Sequence, residues 1–153
     1  MRKLNCHSIT RHLNSLCKFL NDTYNINCGG CCFIAYLIAK HLDRLGIEYA
    51  LVIYDYFKKD ISSIEYEVLN RRMNKDYQSS VTGHHCCNHY CLHVKGAGIV
   101  NDGNYSGHRY TISDLSCKNI YWIYKNSKWN PCYDVQHNRI IKNIVKEFFK
   151  EYE

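Results

Sequence analysis

The sequence predicts an α+β fold, with helices first, an antiparallel sheet in the middle and a closing helix. Three observations predict it. Apolar residues recur at helical spacing near both ends of the chain. Short runs rich in branched and aromatic residues fill the centre and are bounded by turn-forming residues. The 153 residues include one proline and no Gly/Ser tract, so no linker divides them. A single domain over 1–153 is expected, long enough to bury its own core.

The elements follow in order. Residues 8–23 form an amphipathic helix with Ile9, Leu13, Leu16, Cys17 and Leu20 on one face and Ser8 as N-cap. A polar loop leads to a second helix, 31–45, whose apolar Ile34, Leu37, Ile38, Leu42 and Leu45 keep helical spacing and whose C-cap is Gly46. Tyr49 to Tyr56 is a strand, and its Ala-Leu-Val-Ile centre predicts burial on both faces. Ser62 and Glu65 make a capping box for a short helix to about Lys75, followed by a polar loop over 76–88. His89–Lys95 and Gly98–Asp102 form a hairpin around Lys95-Gly96. Further strands are expected at Arg109–Ile112 and Ile120–Lys125, with one helical turn between them. Asp134 caps a last helix, 135–152, that turns Ile141, Ile144, Val145, Phe148 and Tyr152 inward.

The net charge of +6 is modest and does not amount to a nucleic-acid signature. Arg139, Lys142, Lys146 and Lys150 share one face of the last helix, which reads first as a solvated face. Polar residues from Asn5 to Thr10 interrupt any apolar run after Arg2 and Lys3, and no stretch is long enough to span a bilayer. A cytoplasmic location without membrane contact is expected. The ten cysteines are then reduced thiols or metal ligands rather than disulfide partners.

Chemistry concentrates at the start of the second helix. Cys31 follows Gly29 and Gly30 where coil becomes helix. The positive end of a helix dipole favours thiolate, the form of sulfur that attacks. Two glycines remove side chains and let a substrate carbonyl come close to the backbone.

Gly29-Gly30-Cys31, with Ala35 and Leu45-Gly46-Ile47 downstream, resembles the nucleophile helix of transglutaminase-like proteins within the papain-like cysteine hydrolases. Cys28-Gly29-Gly30-Cys31 is similar to the papain register, and both registers select Cys31. His89-Tyr90-Cys91-Leu92-His93-Val94 resembles the family's histidine strand, and Asp102-Gly103 the acidic end of its partner strand. The resemblance spans about residues 25–103. It implies a nucleophile helix packed on an antiparallel sheet and a Cys-His-Asp triad acting on a peptide, protein or small amide substrate, with no cofactor and no metal. Either hydrolysis or acyl transfer would proceed through a thioester.

Cys31 is thus the expected nucleophile, and His89, with His93 as its alternative, the base. A two-residue turn on Lys95-Gly96 would set Asp102 opposite His89, where a carboxylate holds an imidazole nitrogen. The oxyanion donors would be the backbone N–H of Cys31 and an amide side chain. The family places that amide six residues before the nucleophile, which here is Asn25, with Asn27 as the fallback. The rival expectation is a non-catalytic zinc-binding or interaction module. Cys28 and Cys31 have ligand spacing, and His84, His85, Cys86, Cys87, His89, Cys91 and His93 are dense in ligand types. In a strand, however, His89 and His93 stand about 13 Å apart.

Overall fold

The computed structural model describes residues 4–27, 30–55, 88–100, 110–126 and 135–153. Helix α1 (Cys6–Tyr24) starts two residues earlier than its apolar pattern. The N-cap is Asn5, not Ser8: its Oδ1 accepts from the N–H groups of His7 and Ser8 at 3.1 and 3.3 Å. The inward face is the expected one, Ile9, Leu13, Leu16, Cys17 and Leu20. The helix ends on Asn25, in the left-handed region at φ 56°, whose N–H bonds Asn21 O at 2.8 Å. Asparagine tolerates that conformation better than other residues with a Cβ.

Helix α2 (Cys31–Leu45) lies at the centre of the molecule. Ten of its residues are buried, from Cys31 to Leu42, and the solvated stripe is narrow: Tyr36 and Lys40 are half-buried and Asp43 and Arg44 exposed. A helix with so wide an apolar face must be covered over most of its circumference. It packs against β2, against β1 and against the two later helices. Gly46 takes the left-handed C-cap at φ 66°, and the N–H of Ile47 closes onto Leu42 O at 3.0 Å.

The sheet is antiparallel with order β3-β2-β1-β4. The strands are β1 (Tyr49–Asp55), β2 (Asn88–Val94), β3 (Gly98–Val100) and β4 (Tyr110–Ser113). Side chains alternate between faces. Leu51, Ile53, Tyr90, Leu92, Val94 and Val100 join the helical core, while Val52, Tyr54 and Cys91 make a smaller cluster on the far face. The double burial expected for β1 is present.

Two local readings are corrected. The β2–β3 turn has three residues, Lys95 to Ala97, because Val94 pairs with Gly98 and the N–H of Ala97 bonds Val94 O at 3.0 Å. Gly96 and Gly98 take φ of 79° and 126°, which residues with a Cβ rarely adopt. Residues 120–125, expected as a strand, belong to helix α3 (Cys117–Asn126). Ile120 and Ile123 are buried three apart, Cys117 and Tyr124 pack partly buried beside them, and Ser116 Oγ caps the N–H of Asn119 at 3.3 Å. Packing on α2 outweighs the strand preference of an Ile-Tyr-Trp-Ile-Tyr run.

The closing helix α4 (Asn138–Phe149) follows a short 3-10 turn, Val135–His137. It is shorter than expected, and Ile141, Val145 and Phe149 are its fully buried residues. Losing a side chain such as Phe149 would cost about 3–5 kcal/mol. The ring of His41 on α2 stacks on Phe149 at 4.5 Å, and its Nδ1 is 3.2 Å from a carboxylate oxygen of Glu153. Burial holds the His41 pKa down, and the Glu153 hydrogen bond opposes this in part. Arg139, Lys142, Lys146 and Lys150 are all exposed. The expected helix at 62–75, the loop before β2 and Asp134 lie outside the described residues.

Candidate active site

Cys31 is the first residue of α2. Gly30, its N-cap, offers no side chain to the helix and makes no side-chain cap hydrogen bond. The start of β2 lies against this helix end. The backbone N–H of Tyr90 donates to Cys31 Sγ at 3.5 Å. A hydrogen bond from a peptide N–H, like the end of a helix dipole, stabilises negative charge on sulfur. The residue as a whole is buried, with 6% of its surface exposed.

His89 immediately precedes the donor of that bond. It is 4% exposed, and its Nδ1 is shielded from solvent. In the sheet it pairs with Tyr54, whose ring lies 5.8 Å away, and Tyr54 in turn meets Tyr110 at 5.4 Å. Cys31 and His89 line a common cavity of about 20 Å³. His93 does not line it. It sits four residues further along the strand, half-buried between Ala50 and Ile99 in the register. Of the two histidines weighed from sequence, His89 is the one that lines a cavity with the thiol, and its ring lies by Tyr54 on the sheet face of Cys91.

The two amide candidates separate in the same way. Asn25 is exposed and serves as the C-cap of α1. Asn27 is half-buried, is anchored by its N–H on Asn21 Oδ1 at 3.0 Å, and lines the cavity with Cys31. Asn25, the residue six before Cys31, does not line this cavity, because it is taken up as the helix cap.

Asp102 lies outside the described residues. The register that would set it opposite His89 is not the one observed, since Leu92 faces Val100 and Val94 faces Gly98. Cys28, His84, His85, Cys86 and Cys87 also lie outside the described residues. Among the described residues no three His, Cys, Asp or Glu side chains gather as metal ligands. The described cysteines are all thiols. Cys32 is buried and its Sγ donates to Ile120 O at 3.7 Å, tying α2 to α3. Sequence reasoning missed two parts of the site. The Tyr90 N–H carries no side-chain signal, and Cys17 was read only as a core position although it too lines the cavity.

No helix among the described residues is long and apolar enough to cross a membrane. No protein-family model matches the chain, and neither does any curated protein or solved structure.

Proposed function

We propose that the protein is a cysteine-dependent acyl-transferring enzyme, a hydrolase of amides or peptides or an acyltransferase, with Cys31 as nucleophile and His89 as base. One observation carries the reading. The thiol at the start of α2 accepts a hydrogen bond from the peptide N–H that follows His89, so helix end, sulfur and histidine strand meet at one point.

In this reading His89 takes the proton of Cys31, and the sulfur adds to the substrate carbonyl. The oxyanion is held by backbone N–H groups of the first turn of α2, with the amide of Asn27 as the side-chain donor. His89 returns its proton to the leaving amine, alcohol or thiol, and a thioester remains on Cys31. Water or an amine then attacks the thioester, losing a proton to His89, and the thiol is regenerated. Asp102 is assigned the orientation of the imidazole on the sequence resemblance alone.

The test is alkylation of the native protein with iodoacetamide, mapped by mass spectrometry. Cys31 is expected to react faster near neutral pH than a free thiol such as N-acetylcysteine, and to slow when His89 is replaced by Asn. If Cys31 reacts no faster than the free thiol, the nucleophile assignment fails.

A further inference from the structure

The cavity beside Cys31 has a direction. Cys31, Ile34, Ala35 and Ile38 follow one another along a single face of α2, at intervals of three and four residues, and all four line it. Leu92 on β2 and Val100 on β3 also line it, and Asn27 and His89 are its polar lining residues besides the thiols. The apolar lining therefore extends inward from the thiol along the first two turns of the helix. Its wall is almost wholly apolar. A water molecule would need two to four polar partners to be held in such a space. Its volume of about 20 Å³ suits a group of one or two methyl-sized units. A void of this kind also deprives its lining of van der Waals partners, which an apolar occupant restores.

We infer that this cavity receives the acyl chain of the substrate, and that the group carried on Cys31 is a short, unbranched, apolar acyl group of the acetyl or propionyl class. The inference rests on the assignment of Cys31 as nucleophile and adds the substrate class. The carbonyl carbon bonds Sγ at the mouth, the carbonyl oxygen turns toward the helix N–H groups, and the alkyl end points down toward Ile38. The leaving group, which departs with the proton from His89, stays on the solvent side and is not selected by this cavity. Specificity on the acyl side then comes from the length of a buried hydrocarbon, where each methylene too many must displace packed core.

Wild-type protein is treated with p-nitrophenyl esters of acetate, propionate, butyrate, hexanoate and octanoate. Acylation at Cys31 is followed by intact mass and peptide mapping, and each rate is divided by that of N-acetylcysteine with the same ester. Acetyl and propionyl are expected to react fastest, with a fall of roughly tenfold or more for each methylene beyond the filled cavity. The Ile38→Ala variant, checked for folding by circular dichroism, should shift the optimum toward butyryl or hexanoyl. If corrected rates are flat or rise with chain length, the cavity is a packing void and the inference is overturned, while Cys31 remains the nucleophile. If no ester acylates Cys31 faster than the free thiol, the nucleophile assignment falls and takes the inference with it. The wild-type series decides between these outcomes even if the variant does not fold.

Discussion

Cys31 and Cys117 each occupy the first position of a helix, and their surroundings are opposite. At Cys31 the helix is capped by a glycine without a side chain, and the sulfur accepts from the N–H of Tyr90. At Cys117 the preceding Ser116 caps the helix with its hydroxyl, and the sulfur donates to Tyr36 O at 3.8 Å. Burial pushes the Cys117 thiol pKa up, and the Asp43 carboxylate adds to the rise while Lys40 offsets part of it. The same helix dipole acts on both. What differs is that the Cys31 sulfur faces a donor, while the Cys117 sulfur faces an acceptor and has the Asp43 carboxylate near it. A helix start is therefore a permissive location for a nucleophile, and the partners of the sulfur decide whether it becomes one.

The largest effect that separates the two is expected from removing each sulfur. Cys31→Ala should lower acylation by an activated ester on the order of 10⁴-fold or more. Cys117→Ala should leave the rate within about twofold and cost no more than about 1–2 kcal/mol of stability, as a small core truncation does. Equal losses in the two variants, after correction for folded fraction, would erase the distinction. Next in size is His89→Asn, with an expected fall of about 10²–10⁴-fold in the rate at Cys31 near neutral pH. His93→Asn, two positions further along the same strand face, should have little effect on that rate. A loss confined to His93→Asn would move the base to the other histidine.

The features that could be read from sequence are those settled within a few residues. Helix α2 runs from Cys31 to Leu45 as its apolar spacing and Gly46 require, because period and cap are both local. The buried face of α1 was legible for the same reason. Residues 120–125 were not, since branched and aromatic residues at Ile120, Trp122 and Ile123 suit a strand until α2 offers a surface that only helical spacing can meet. The β2–β3 register turned on one loop residue. A two-residue and a three-residue turn on Lys95-Gly96-Ala97 are both compatible with the glycines, and a slip of one changes every cross-strand partner. At the site, Cys31 and His89 were legible from residue type and neighbours. That Asn27 and not Asn25 lines the cavity was not, because it depends on where α1 stops.

Those two asparagines give a third, intermediate test, and it separates chemistry from folding. Asn27→Ala should lower the acylation rate by about 10²–10³-fold, as the loss of one oxyanion donor does, with little change in melting temperature. Asn25→Ala should do the reverse. Its left-handed cap costs a residue with a plain Cβ about 1–2 kcal/mol, which lowers the melting temperature by roughly 2–8 °C and leaves the rate at Cys31 near that of wild type. If Asn25→Ala takes the rate and Asn27→Ala the stability, the donor assigned by counting back from the nucleophile is restored.

The smallest effect concerns the quiet cysteine. Desolvation is the first cause of the raised Cys117 pKa and Asp43 the second, so Asp43→Asn removes only part of the shift. A raised thiol pKa means that the thiolate fraction, and with it the alkylation rate, stays low at neutral pH and climbs only at alkaline pH. Neutralising Asp43 should move that climb to lower pH without bringing it to the position of an ordinary solvated thiol. Iodoacetamide labelling of Cys117 near pH 8 should then rise by no more than about tenfold, the change that one unit of pKa produces. The profile of Cys31 should not move, since Asp43 lies near the other end of α2. A rise at Cys117 large enough to match Cys31 would mean that one carboxylate, and not the donor at Tyr90 or the bare glycine cap, accounts for the difference between the two helix starts.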